Sequence, residues 1–119
     1  MKSMQEIELG LEVLLELDGE VFPMDNGYWT KFEVRRVPVS RELPHGIKYS
    51  LTLHNRQNQR VLGFDNAHGV KLKKYRYAAK KITWDHKHLE KQLQDYEFES
   101  PGKLMEDFWQ EVDKILGGH

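Results

Sequence analysis

An eight-residue stretch near the middle of this sequence alternates apolar and polar side chains without a break. Between Ile47 and His54 every second side chain is apolar, and the side chains between them are polar. Successive side chains of a β-strand point to opposite faces of its sheet, so this stretch predicts a strand with one buried face and one wet face. Residues 28–35 repeat the alternation directly after the turn signal Asp25–Gly27. The chain is therefore expected to contain a half-buried sheet.

Other segments are predicted to extend this sheet. Residues Leu11–Leu17 are rich in leucine and precede a turn signal, which favours a strand over a short helix. Residues Arg60–Asp65 follow a polar turn, and Asp65 is expected at the end of that strand, near the rim of the sheet. Residues 82–84 and 96–98 predict two short strands. Together these segments predict a curled antiparallel sheet of five to six strands.

The C-terminal segment predicts a single amphipathic helix. Ser100 can cap a helix with its side-chain oxygen, and Pro101 suits the first helical position. The apolar residues that follow recur at helical spacing: Leu104, Met105, Phe108, Trp109, Val112, Ile115 and Leu116. Gly117–Gly118 then end the helix. We expect this stripe to cover the apolar face of the sheet, which makes the fold class α+β.

The length and the composition restrict the remaining choices. The chain has 119 residues, of which 39% are hydrophobic, and this size predicts one domain over residues 1–119. No apolar run approaches the roughly 20 residues that span a bilayer, and the first residues lack the apolar stretch of a secretion signal. We therefore expect a cytoplasmic protein with no membrane partner. Cysteine is absent, so any metal ion must be bound by His, Asp or Glu.

The net charge of −1 argues against a protein that binds polyanions over its whole surface. The charges are unevenly distributed, however, because residues 71–91 carry eight Lys or Arg against Asp85 and Glu90. This stretch is either a solvated loop or a patch that contacts phosphate groups.

Two polar segments carry the residues suited to chemistry. Asp65-Asn66-Ala67-His68 follow a predicted strand, and Asp85-His86-Lys87-His88 lie further along the chain. If the second segment is extended, its two histidines point to one side, where they can share a metal ion or divide acid and base work, while its aspartate and lysine face away. The alternatives are turn chemistry for the first segment and solvent-exposed imidazoles for the second.

Two further histidines, His45 and His54, flank the alternating strand. His54 is expected to be a surface imidazole, whereas His45 either belongs to a structural turn or contacts a ligand. The usual signatures of nucleotide hydrolases, esterases and zinc proteases are absent from the sequence. It has no glycine-rich phosphate loop, no serine in a sharp glycine turn and no His-Glu-x-x-His helix.

Four short segments are shared with a known family. They are Pro44–Ser50, Asp65–His68, His86–His88 and the aromatic-rich helix around Glu106–Phe108. In these segments, and over most of the chain from Asp18 onward, the sequence resembles the TumE-type toxins of bacterial toxin–antitoxin pairs. The resemblance implies a small sheet-plus-helix protein that is encoded beside its antitoxin. Many members carry a histidine where this chain has Asp85, so the three-histidine pattern is broken here, although a carboxylate can also bind a metal ion.

The resemblance implies a toxin whose partner is a cognate antitoxin protein, and by analogy many toxins of this size class cleave RNA. In the first hypothesis the chain is a small ribonuclease, in which two imidazoles among His68, His86 and His88 act as base and acid in a cluster with Asp65. The residues expected to bind the substrate around that site are His45, Arg60, Asn66 and Lys87. This mechanism needs no metal cofactor.

Two alternatives remain open. In a variant of the ribonuclease, Asp65 and the three histidines bind a divalent metal ion that activates water, and a chelator would then stop the reaction. In the second hypothesis the chain is a non-enzymatic binding module that inhibits a cellular partner, and the histidines only shape a polar rim. Convergence of the imidazoles in the folded protein separates the two hypotheses, since acid–base work needs groups within hydrogen-bond reach or one bridging water.

Overall fold

The fold is a six-stranded antiparallel sheet with a helix before it and a helix after it, and a computed structural model describes it over residues 4–66, 85–89 and 92–117. The elements in chain order are α1 (Met4–Glu16), β1 (Val21–Pro23), β2 (Trp29–Arg36), β3 (Ile47–His54), β4 (Arg60–Asp65), β5 (His86–Leu89), β6 (Gln92–Asp95) and α2 (Pro101–Gly117). Each strand pairs antiparallel with the next, so the order in the sheet is β1 to β6. The predicted α+β class is confirmed.

The register of the central strands separates an apolar face from a polar face. Phe32 of β2 pairs with Leu51 of β3, which pairs with Phe64 of β4, and all three side chains are buried in the core. The residues that alternate with these buried residues along each strand point to the opposite side of the sheet, here called the polar face. Its members are Trp29, Lys31, Glu33 and Arg35 of β2, Lys48, Ser50, Thr52 and His54 of β3, Arg60, Gly63 and Asp65 of β4, and His86 and His88 of β5. The alternation predicted for β2 and β3 is therefore confirmed.

Helix α2 covers the apolar face, as its stripe predicts. The backbone N–H of Lys103 donates to the hydroxyl of Ser100 at 3.1 Å, which is the hydrogen bond of an N-cap. Phe108 is fully buried, and its ring meets that of Phe32 edge to face at 5.4 Å and that of Phe64 at 6.0 Å. Such pairs stabilise a core beyond the area that they bury. The core therefore lies between α2 and the apolar face.

The strand predicted at Leu11–Leu17 is wrong. Most of these residues belong to α1, in which Leu14 is fully buried while Leu11 and Leu15 pack against the core. The spacing of these leucines matches one face of a helix, and over so short a segment it cannot be told from a strand by sequence. Helix α1 also approaches α2 closely at Gly10. A Cβ atom at this position would lie 3.2 Å from a backbone nitrogen of α2.

The strand predicted at residues 96–98 is also wrong, because β6 lies earlier, at Gln92–Asp95. Tyr96 follows this strand, and its hydroxyl donates to the carboxylate of Asp107 on α2 at 2.7 Å. Tyr96, which resembles a strand residue in sequence, therefore joins the sheet to the helix through its side chain.

Some predictions fall on residues that the structure does not describe. These are the strand at 82–84, His68, and the basic stretch 71–91 apart from residues 85–89. Within the described ranges, neither helix is long and apolar enough to cross a membrane.

Candidate functional site

One carboxylate and two imidazoles meet on the polar face where β4 ends. Asp65 pairs with His86 across the β4–β5 ladder, and His88 lies two residues further along β5. Residues i and i+2 of a strand share a face, so both rings stand beside Asp65. Nε2 of His86 lies 2.7 Å from Oδ1 of Asp65, and Nε2 of His88 lies 3.2 Å from Oδ2. These three residues are called the histidine–aspartate cluster below.

The three members of the cluster differ in their exposure to water. The side chains of Asp65 and His86 are 13% and 4% exposed, whereas that of His88 is 21% exposed. Buried polar groups need partners, and the contacts with Asp65 supply one to each imidazole. His88 is therefore the member that a ligand reaches most easily.

The surroundings of His88 favour its neutral form. Burial lowers the pKa of His88 from its ordinary value of 6.5, and the positive charge of Arg60 lowers it further, while Asp65 acts in the opposite direction. A neutral imidazole that donates its Nε2–H to a carboxylate keeps an unprotonated Nδ1, which can accept a proton. An imidazole held in this way is prepared to act as a base.

Arg60 lies beside the cluster because of a register shift in the β3–β4 ladder. The shift pairs Arg60 with His54 and so turns it onto the polar face. Cδ of Arg60 lies 3.3 Å from the position that a Cβ atom would take at Gly63, and Gly63 pairs with His88. Since Gly63 has no side chain, the arginine extends over the strand toward His88, where its charge can stabilise a bound anion.

A second polar group forms where the chain enters β3 and β5. The hydroxyl of Tyr49 donates to Oδ1 of Asp85 at 2.8 Å, and Nε2 of His45 lies 3.6 Å from Oδ2 of the same carboxylate. Burial raises the pKa of Asp85, although the hydrogen bond from Tyr49 and the charge of His45 act against this. The alternation of β3 places Tyr49 on the apolar face, so this group lies apart from the histidine–aspartate cluster, although the charge of His86 also acts to lower the pKa of Asp85. Tyr49 was not predicted as a site residue, because its position in the alternation of β3 marks it as a core residue.

Two residues that were expected to bind substrate have structural partners. The side chain of Asn66 accepts a hydrogen bond from the N–H of Tyr49 at 2.9 Å and donates to the carbonyl of Ile47 at 3.0 Å, so it extends the β3–β4 pairing by one residue. Lys87 points to the apolar face and forms an ion pair of 3.1 Å with Glu111 on α2. The structure therefore brings Arg60 to the cluster, and it places His45, Asn66 and Lys87 elsewhere.

The cluster also has the composition of a metal site. Asp65, His86 and His88 each offer one ligand atom, and these atoms lie within 4.8 Å of one another. Two imidazoles and one carboxylate are a common ligand set for divalent transition metals. The same contacts are also those of two imidazoles that donate hydrogen bonds to one carboxylate.

The fold and the cluster define the class as a small α+β protein with a histidine–carboxylate site at the end of an antiparallel sheet. A sequence model of the family described as Toxin TumE matches residues 13–116, which is nearly the whole chain. The chain therefore belongs to the TumE toxin family, as the four shared segments predict, and it is the toxin component of a toxin–antitoxin system with an antitoxin as partner. No curated protein and no solved structure matches it.

Proposed function

We propose that this toxin cleaves RNA without a metal cofactor and that His88 is the general base. The observation that supports this proposal is the double contact of Asp65 with His86 and His88, at 2.7 and 3.2 Å. A general base needs an orienting partner within hydrogen-bond reach, and Asp65 meets this condition for His88. The lowered pKa of His88 keeps the base unprotonated at neutral pH.

In the proposed reaction, Nδ1 of His88 removes the proton from a ribose 2′-hydroxyl. The 2′-oxygen then attacks the adjacent phosphorus, the bond between the phosphorus and the 5′-oxygen breaks, and the upstream product ends in a 2′,3′-cyclic phosphate. The leaving 5′-oxygen takes up a proton, and we assign its donation to His68, which follows Asp65 closely in the sequence. Each such proton transfer contributes roughly 10²- to 10⁴-fold to a rate.

The other polar residues of the site have supporting roles in this proposal. Asp65 holds His88 in the tautomer that leaves Nδ1 unprotonated. His86 is too deeply buried to reach RNA, so it acts as a positioning residue that fixes the other oxygen of Asp65. Arg60 stabilises the negative charge that develops on the phosphate during attack.

The metal-dependent variant is the second candidate, and the observation that favours it is the grouping of three ligand atoms within 4.8 Å. In this case Asp65, His86 and His88 would bind the ion, and the ion would supply an activated water at neutral pH. Water attack leaves a linear phosphate at the RNA end, whereas attack by the 2′-oxygen leaves a cyclic one. The products therefore distinguish the two mechanisms.

Expression of the chain in bacteria without its antitoxin tests the proposal. We expect growth arrest together with loss of intact RNA, both relieved when the antitoxin is co-expressed. His88→Ala should remove both effects, and His119→Ala, at the last residue of the chain, is the matched control that should retain them. A folded and soluble His88→Ala protein that still arrests growth would reject His88 as the base. Growth arrest with intact RNA would favour the non-enzymatic binding module.

A double replacement tests whether His68 and His88 act together. Catalytic groups that work as a unit have non-additive effects, so removal of the second group costs little once the first is gone. The variant with both His68→Ala and His88→Ala should therefore cleave RNA at nearly the same rate as the less active of the two single variants. Effects that multiply would show that the two histidines contribute independently.

A further inference from the structure

A tryptophan on the polar face is held by two polar neighbours. The half-buried indole ring of Trp29 stacks on the ring of His54, with 4.0 Å between the centroids and 10° between the planes. Its Nε1–H donates to Oδ1 of Asn58 at 3.0 Å. Asn58 has a φ of 62°, a left-handed conformation that the turn between β3 and β4 requires. These contacts fix the orientation of the indole, so its flat surface is formed before any ligand binds.

The Trp29–His54 pair, Arg60 and the proposed general base His88 lie along one line across the polar face. Trp29 pairs with His54, which pairs with Arg60, and Arg60 reaches over Gly63, the partner of His88. Three steps between neighbouring strands separate Trp29 from His88, which amounts to about 15 Å at the usual strand spacing. An extended chain of a few nucleotides covers that distance.

The central strands present more positive than negative charge on this face. Among the residues of β2, β3 and β4 that point to it, the cations are Lys31, Arg35, Lys48 and Arg60, and the carboxylates are Glu33 and Asp65, while the outer strand β6 adds the carboxylate of Asp95 beside His86. Burial lowers the pKa of His54, and the charges of Arg60 and Lys31 lower it further, as expected for a ring among cations. The face can therefore attract phosphate groups even though the whole chain has a charge of −1.

We infer that the polar face binds single-stranded RNA, with a base stacked on the Trp29–His54 pair and a backbone phosphate held by Arg60 above Gly63. The inference rests on the proposed ribonuclease activity and names its substrate class. Aromatic rings beside cations bind single strands because every base offers a flat surface. A base inside a duplex is already stacked on its neighbours, so paired RNA cannot use Trp29 in this way.

Binding of a fluorescein-labelled RNA, measured by fluorescence anisotropy, tests the inference. The probe is an unstructured strand of about 12 nucleotides, which lies within the usual site size of single-strand binders. All proteins carry His88→Ala, so that the probe stays uncleaved. Trp29→Ala should weaken binding roughly 5- to 100-fold, the effect expected for loss of one stacked base. A duplex of the same sequence should bind the His88→Ala protein, with Trp29 intact, more weakly than the single strand does.

Three further variants distinguish the loss of stacking or of charge from a loss of folded structure. Trp29→Phe retains an aromatic ring, so it should keep most of the affinity while the quenching of tryptophan emission by RNA is reduced. Arg60→Gln should weaken binding and lower the slope of log Kd against log salt by about one. Lys114→Gln removes the same charge from a side chain of α2 that is 72% exposed, and it should leave binding unchanged.

The outcomes separate this inference from the proposed function. Unchanged single-strand binding by a folded Trp29→Ala protein would overturn the inference, and the proposed function would stand if His88→Ala had abolished cleavage. Binding that depends on Trp29, in a toxin that never cleaves RNA, would support the surface and reject the catalysis. If Trp29→Ala lost antitoxin binding and kept RNA binding, the face would be a protein interface and the inference would be wrong.

Discussion

Asp65 on β4 and His88 on β5 meet across one strand pair, with 3.2 Å between Oδ2 of the carboxylate and Nε2 of the imidazole. Their contact depends on the register of the β4–β5 ladder. A slip of one residue would turn His88 to the apolar face and bring Lys87 to the polar one. The sheet itself therefore positions the proposed base.

Replacement of Asp65 by asparagine tests this relationship. Asp65→Asn keeps the shape of the side chain but presents an amide where two imidazoles meet a carboxylate, so His88 loses the partner that fixes its tautomer. We expect the rate of RNA cleavage, measured with purified protein, to fall roughly 10²- to 10⁴-fold. Asp113→Asn makes the same change at an exposed position of α2 and should leave the rate unaltered. Equal rates for the two variants would remove Asp65 from the mechanism.

The pH dependence of cleavage should reflect the lowered pKa of His88. Protonated His88 cannot act as a base, so the rate should decrease as the pH falls through its pKa, which lies below the ordinary value of 6.5. Arg60→Gln removes a cation that lowers this pKa, and the acid limb of the pH–rate profile should therefore move to higher pH. With Lys114→Gln the limb should stay in place. An acid limb that does not respond to Arg60→Gln would show that the arginine does not act on the base.

Phe108 packs helix α2 against the sheet. Phe108→Ala removes a fully buried ring that meets Phe32 and Phe64, so the free energy of unfolding should fall by about 3–5 kcal/mol. Urea denaturation measures this change. Val39→Ala, at a side chain that is 73% exposed, should have little effect. Equal stability of the two variants would mean that α2 is docked elsewhere.

Thr30 is a position at which a substitution should increase the stability of the fold. Its hydroxyl is fully buried, and it has no hydrogen-bond partner among the described residues. Thr30→Val has a similar volume and removes the buried polar atom, so we expect stability to increase by about 1 kcal/mol. The melting temperature should rise by a few degrees, and a decrease would indicate that the hydroxyl has a partner.

The sheet could be predicted where alternation is long enough to exclude a helix. Over β3 the eight alternating residues admit one interpretation, and the same holds for β2. Leu11–Leu17 was mistaken for a strand because a short leucine-rich segment fits both periods, and packing on α2 decides between them. The rings at residues 96–98 have strand propensity, but they bind neighbouring elements through side chains.

The residue types of the candidate site could be predicted from the sequence, but the contacts among these residues could not. The spacing of His86 and His88 indicates a common face, and their convergence on Asp65 then follows from the β4–β5 register, which no local pattern reveals. Asn66 resembles a site residue in sequence, yet its amide completes backbone pairing at the end of the sheet. Arg60 reaches the polar face through a register shift that alternation alone would not suggest.

The chemistry of the RNA ends produced in the presence of a chelator shows whether cleavage depends on His88 alone or on a bound metal ion. Purified toxin in excess EDTA should release fragments that end in a 2′,3′-cyclic phosphate, and His88→Ala should slow their formation roughly 10²-fold or more. Cleavage that stops in EDTA, resumes with added Mn²⁺ or Zn²⁺ and leaves linear phosphate ends would contradict the metal-independent mechanism with His88 as its base.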